Sequence, residues 1–338
     1  RDLPRAVDLF ADWMKNCTLD PAEVEREKGV ILREINMGED DPGRVLSKRF
    51  AETMYRGHLM RVPIIGYREN FERITRDDLD RFYRNRYVPN NALVAVAGDV
   101  DAAATLALIR AAFGPWERRP LAVTDAPEEP RQVSPRRDEA RMDIPMAILH
   151  LGYPTVGLDH PDLYALDVLE YVLGEGRASR LVRLLQEERQ TVFEIGASSW
   201  TPHFGPGNFS VGARMAPDKV EEAVAGILEV IGEVRRGGVT EEEIARAKKQ
   251  KAADYVFGQQ EVEAIASTLA SDLMATGDPT FSRAYVRRIQ EVTAEDVARV
   301  AREWLDPDRR TVAVVRPREE GPAGENGAPP PNPPPPTP

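Results

Sequence analysis

Glu27 and Glu34 stand two helical turns apart in the stretch Asp20–Met37, DPAEVEREKGVILREINM. That stretch reads as a helix, with Asp20 as its cap, Pro21 at the first helical position and Glu23 closing an Asp-x-x-Glu box. At about 100° per residue the two glutamates fall within about 20° of each other. Val24, Ile31 and Ile35 flank them on one side, Val30 and Met37 on the other, while Glu25, Arg26, Lys28 and Arg33 point elsewhere. A carboxylate in an apolar arc is costly unless it is paired, hydrogen-bonded or bound to a metal. The spacing suits a metal ligand, with the second acid orienting a ligand. A pair of buried salt bridges, or a half-exposed helix edge, is the competing reading of the same pattern.

The elements that must position these acids belong to a chain of 338 residues, a length that suits two globular domains. It is 42% hydrophobic and 30% charged, enough to bury substantial cores. No apolar run approaches the roughly 18 residues of a membrane span. A net charge of −11 speaks against nucleic acid or an anionic membrane as the main partner. Cys17 is the sole cysteine, which excludes an intrachain disulfide and a cysteine zinc cluster.

The sequence repeats itself. Residues 74–97 (ITRDDLDRFYRNRYVPNNALVAVA) align without gaps on residues 292–315 (VTAEDVARVAREWLDPDRRTVAVV), an offset of 218. Each copy is a Thr-capped helix, a Pro-containing turn and an apolar strand. Near an offset of 220, DPAEVEREK (20–28) pairs with TEEEIARAK (240–248), and Ala247 takes the place of Glu27. The helix is duplicated but the paired glutamates are not, which weighs against their being a need of the scaffold. The duplication predicts four segments. They are a first half at 1–119, lacking roughly 75 N-terminal residues, a Pro-rich linker at 120–138, a second half at 139–316 and a Pro-rich disordered tail at 317–338.

Periodicity predicts helices at 3–16, 21–37, 43–55, 76–86 and 101–113, with a strand at 92–98. In the second half it predicts helices at 160–173, 177–189, 217–236, 240–276 and 293–304, and strands at 144–152, 191–200, 207–215 and 310–315. Strands that do not alternate strictly with helices favour an α+β fold with two homologous α/β-sandwich halves over a doubly wound one.

EREKGVILREINMGEDDP, PIIGYRENFERITRDDLDRFYRNRYVPNNALVAVAGDVD and LGEGRASRLVRLLQEERQTVFEIGAS carry a resemblance to the pitrilysin/insulinase zinc metallopeptidases, of the mitochondrial processing peptidase type and its bacterial relatives. The resemblance runs from about residue 3 to 316. It implies two similar halves enclosing a peptide-binding chamber, Zn²⁺ as cofactor, peptide hydrolysis, and a soluble protein of the bacterial cytoplasm or periplasm. The family's metal site uses an inverted His-x-x-Glu-His helix and a distant glutamate in the pattern E-x6-E. Carried onto this sequence, Glu34 is the metal ligand and Glu27 its supporting acid. The His-x-x-Glu-His segment, with the general-base glutamate that would act on a zinc-bound water, is expected upstream of residue 1. The four histidines, His58, His150, His160 and His203, are not spaced to replace it and read as structural or surface residues.

The family's second half supplies an arginine and, seven residues on, a tyrosine that hold substrate near the zinc. Here Gln186 and Phe193 stand at those positions, without charge or hydroxyl. Arg180 or Arg183 on the same helix is the candidate replacement in cis. In heterodimeric members of the family the zinc site and the Arg/Tyr pair lie on different subunits. The expectation is therefore the zinc-bearing subunit of a two-chain endopeptidase, whose partner is a related chain carrying that pair. The competing expectation is a non-catalytic scaffold, like the core proteins of the respiratory cytochrome complex.

Overall fold

The computed structural model describes residues 2–121 and 126–318. Twelve α-helices and five strands are formed among them. The first half contributes α1 (Leu3–Lys15), α2 (Pro21–Asp40), α3 (Pro42–Met54), α4 (Arg68–Phe71), α5 (Arg76–Arg86) and α6 (Ala102–Phe113). The second contributes β1 (Arg136–Met142), β2 (Ala147–Pro154), α7 (Leu163–Gly174), β3 (Glu194–Trp200), β4 (Asn208–Met215), α8 (Val220–Gly237), α9 (Glu241–Gly258), α10 (Val262–Thr276), α11 (Phe281–Glu291), α12 (Ala294–Trp304) and β5 (Thr311–Pro317).

The strands form one sheet in the order β1-β5-β2-β4-β3. β1 runs parallel to β5 and the other neighbours are antiparallel. β5 sits inside the sheet with residues 311–315 all buried, which is why TVAVV is an unbroken small-to-apolar run rather than an alternating one. Along the other strands side chains alternate. The row Ile195, Ala213, Leu149, Val314 is buried. The neighbouring row is Gly196, Gly212, His150, Ala313. The main core joins this sheet to α7, α8 and α12, with Leu166, Leu169, Ile227 and Val300 fully buried. A second, smaller core seats α3 of the first half on the sheet, through Leu46, Phe50 and Met54 against Ala140, Ala313 and Val315. The result is an α+β architecture in which a first-half helix helps to cover the second-half sheet.

The junction is pinned by polar contacts. The buried Tyr55 hydroxyl donates to the Gly207 carbonyl at 3.3 Å and accepts from Asn208 Nδ2 at 3.2 Å, and burial pushes its ionisation up to about 12. Glu129 accepts from the backbone N–H groups of Arg56, Gly57 and His58. Arg136 donates to the carbonyls of Thr53 and Met54.

Several elements differ from expectation. The strand expected at 92–98 does not form, and the stretch pairs with no strand among the described residues. β1 begins at Arg136, inside the stretch read as linker, because its value to the fold is backbone pairing with β5 rather than an apolar pattern. The long helix expected at 240–276 breaks after Gly258 into α9 and α10. α11 was not foreseen. Nearly all of the Pro-rich tail lies outside the described residues.

Candidate functional site

Asp20 caps α2, accepting from the N–H groups of Ala22 and Glu23 at 2.9 and 3.2 Å, and the helix runs three residues beyond Met37. Its buried side is Val24 and Ile35, packed toward α3, and Lys28 Nζ donates to the Ile74 carbonyl at 2.8 Å. Glu27 and Glu34 are both exposed, as are Val30 and Met37 beside them. The arc of apolar residues is thus divided: one flank is buried and the other open, and neither acid is enclosed.

Glu34 nevertheless stands on the wall of a cleft of about 1350 Å³. First-half residues such as Ile35, Lys48, Tyr67 and Arg68 form one side, and Ser198, Trp200, Asn208 and Ser210 of β3 and β4 form the other. A second cavity of about 690 Å³ continues past Gly196 and Gly212, and His150 and Ser47 line both. α3 covers the β1–β5–β2 side of this sheet face, leaving the small residues of β3 and β4 as the floor. Glu27 does not line the cleft.

The histidines take structural places. His58 is buried, its Nδ1 accepts from Met60 N at 3.2 Å, and a Cβ on Gly205 would fall 2.4 Å from its Cε1. His150 packs edge-on against Phe50, and burial lowers its basicity. His160 Nδ1 accepts from Asp162 N at 3.1 Å, and His203 lies in an exposed loop beside Phe204. Among the described residues no group of three or more His, Cys, Asp or Glu side chains is arranged to hold a metal ion. A catalytic zinc site takes three protein ligands. Glu34 offers one donor, so the residues of this sequence do not by themselves fit zinc.

The segment expected as an α-helix at 177–189 contains a π-helical turn, Val182–Glu188, which holds Gln186. Arg189 N donates to Leu184 O at 2.9 Å across the wider turn. Nothing in the local periodicity marks this turn. The left-handed Gln190, φ 52°, ends the segment, and Phe193 follows, 56% exposed. Arg180 is committed elsewhere: its guanidinium donates to both Glu243 oxygens at 2.7 and 2.8 Å and to the Gly238 carbonyl. That bond holds the Glu243 carboxyl down at about 2. Arg183 is exposed, 3.7 Å from Glu188.

Comparison with known proteins agrees with this architecture. Residues 1–67 match the profile described as insulinase, peptidase family M16, and residues 73–251 match the one described as the peptidase M16 inactive domain. An uncharacterized zinc protease of Mycobacterium tuberculosis is 33% identical over 319 residues, covering 93% of this chain and 72% of that protein. A probable mitochondrial-processing peptidase subunit beta of Schizosaccharomyces pombe is 28% identical over 331 residues, 92% of this chain and 70% of that one. The crystal structure of a protease from Helicobacter pylori superposes with a TM-score of 0.87 at 24% identity, over 94% of this chain and 77% of that chain. The chain belongs to the insulinase-type peptidase family M16.

Proposed function

We propose that this chain is part of a zinc-dependent endopeptidase and is the zinc-bearing subunit of a two-chain enzyme. The observation that carries the reading is the position of Glu34. It is an exposed carboxylate without a counterpart acid pair in the repeat, on the wall of a cleft built from both halves. In this reading Glu34 is one zinc ligand, and two histidines and a general-base glutamate come from sequence preceding Arg1. Glu27, on the same helix face but outside the cleft, orients a ligand rather than binding the metal. The cleft between α2 and the β3–β4 floor takes the peptide.

Two features support a second subunit. Gln186 and Phe193 offer neither a cation nor a hydroxyl to a developing oxyanion. Arg180 is held by Glu243 and cannot serve in their place without leaving a buried carboxylate unpaired. The relatives named zinc proteases favour a catalytic role. A scaffold role is the second reading, favoured by the match of residues 73–251 to a profile described as inactive.

The experiment is a peptidase assay of the full-length protein alone and mixed with a related chain that carries the Arg/Tyr pair. Activity only on mixing is the expected result. Full activity from a homogeneous single-chain preparation overturns the two-subunit reading, and no activity in either arm favours the scaffold.

A further inference from the structure

The helical layer of the second half holds an acid-rich cluster apart from the cleft. Asp167 and Glu170, one turn apart on α7, both lie in the packed interface with α9 and α11. Asp167 is 6% exposed, and the Glu170 and Lys251 side chains are 18% and 19% exposed. From α9, Lys251 Nζ lies 3.2 Å from Glu170 Oε2 and 4.7 Å from the Tyr171 ring centroid. α9 also brings Asp254, an exposed residue that accepts from the Tyr171 hydroxyl at 2.6 Å. From α11, the Tyr285 hydroxyl donates to Asp167 Oδ2, and Arg288 lies 5.5 Å from the Tyr164 ring centroid. β3 contributes the uncharged Ser199 hydroxyl, and Glu175 follows the end of α7. α12 spends its Arg299 on Asp162, at 2.6 Å.

Two buried carboxylates therefore share one ammonium. A buried charge without a partner costs several kcal/mol, as an order of magnitude, and Lys251 matches one of the two. We propose that Asp167, Glu170 and Lys251 form a proton-operated latch that holds the α9–α11 layer on α7: it is closed when the acid pair keeps one proton and loosened when that proton leaves. Burial supports this, raising Asp167 and pushing Glu170 up to about 7 against the pull of Lys251, with the Asp167 charge adding to the rise at Glu170. Two acids so close titrate as a pair. The closed state binds more protons than the open one, so its stability falls as pH rises from the ordinary glutamate range to about 7, and stays low above it. The latch reaches beyond its own layer. α9 leads into α10, and Val262 at the start of α10 lies against Gly98 of the first half, where an added Cβ would meet its Cγ1 at 3.9 Å.

Two measurements on the whole chain test the latch. The first is a ¹³C titration of the carboxyl groups, with Glu170 assigned by its loss in Glu170→Gln. The second is amide hydrogen exchange of α9 and α11 from pH 5 to 8, corrected for intrinsic exchange. A Glu170 midpoint near 7 is expected, with an opening equilibrium that rises about 10-fold per pH unit up to that midpoint and then levels. Glu170→Gln and Asp167→Asn each leave one carboxylate for one ammonium, so each should remove the slope. Having two such variants keeps the test alive if one does not fold. A Glu170 midpoint in the ordinary carboxylate range, or the same slope in wild type and both variants, overturns the proposal.

Discussion

Sequence segments repeated at offsets of 218 and 220 form similar helices, and their surroundings differ. α2 and α9 are repeat partners, and each sends the same lysine to a backbone carbonyl: Lys28 to Ile74 at 2.8 Å, Lys248 to Gln290 at 2.9 Å. Yet α9 packs on α7 and α11, with Ile244 and Ala247 buried, while α2 leaves Glu27, Val30 and Glu34 open. At the offset of 220, Asp254 stands where Glu34 does, and it is tied to Tyr171 rather than to a cleft. α3 is buried on the sheet through Leu46, Phe50 and Met54. Its repeat partner α10 exposes Val262, Ile265, Leu273 and Met274. Residues 311–315 sit within a five-stranded sheet, whereas the matching 93–97 stretch joins no ladder among the described residues. Local signals build the same helices and turns twice. Burial differs with the partners each copy meets, and the first half, which forms no strand among the described residues, carries the open acid pair.

Substitutions at matched places sharpen that contrast. The largest difference is expected between α3 and α10, which align at the offset of 220. Met54→Ala, at a residue 1% exposed, should cost about 2–5 kcal/mol. Met274→Ala, at the matching residue 220 positions on and 68% exposed, should cost about 1 kcal/mol or less. Urea unfolding measures both, and equal losses would mean that α10 is as well covered as α3.

A smaller difference is expected between α2 and α9. Glu243 is paired with the half-buried Arg180, whereas its repeat partner Glu23 pairs with Arg26 in the open, where side-chain exposures are 58% and 72%. Arg180→Met should cost about 2–3 kcal/mol at pH 7, and Arg26→Ala nothing measurable. Because the folded Glu243 carboxyl is depressed to about 2, its contribution is whole above the ordinary glutamate range and fades as pH falls toward 2. Acid unfolding curves of wild type and Arg180→Met should converge over that interval. Curves that stay parallel would take the pair out of the acid response.

The smallest effect is one of equality. Thr75 with Asp78 and Thr293 with Asp296 form the same capping box in the two halves. Thr75→Ala and Thr293→Ala should each cost about 1 kcal/mol. A clear inequality would show that the caps depend on the surrounding packing and are not local devices.

Much of this architecture was legible because it is written locally. The caps at Asp20, Thr75, Thr240 and Thr293, the helix spans and the duplication all follow from spacing that neighbouring residues impose on one another. What stayed hidden depends on partners distant in sequence. β1 is charged and becomes a strand by pairing with β5, 175 positions away in register. The strand expected at 92–98 has the right residues and joins no ladder among the described residues. The π-helical turn around Gln186 leaves no periodic trace. In the candidate site, Glu27 and Glu34 were visible by their spacing. The uneven burial of their flanks was not, since it depends on which flank meets the rest of the chain. His150 reads from sequence as a strand residue, and nothing local signals that it lines the cleft while packing against Phe50 of α3.

The claim that the open acid pair of the first half belongs to a metal centre is tested most directly by zinc analysis of the full-length protein and two variants. The account predicts about one zinc per chain in wild type, near-complete loss in Glu34→Gln, and affinity weakened by roughly 10–100-fold in Glu27→Gln. Zinc undiminished in Glu34→Gln would contradict it.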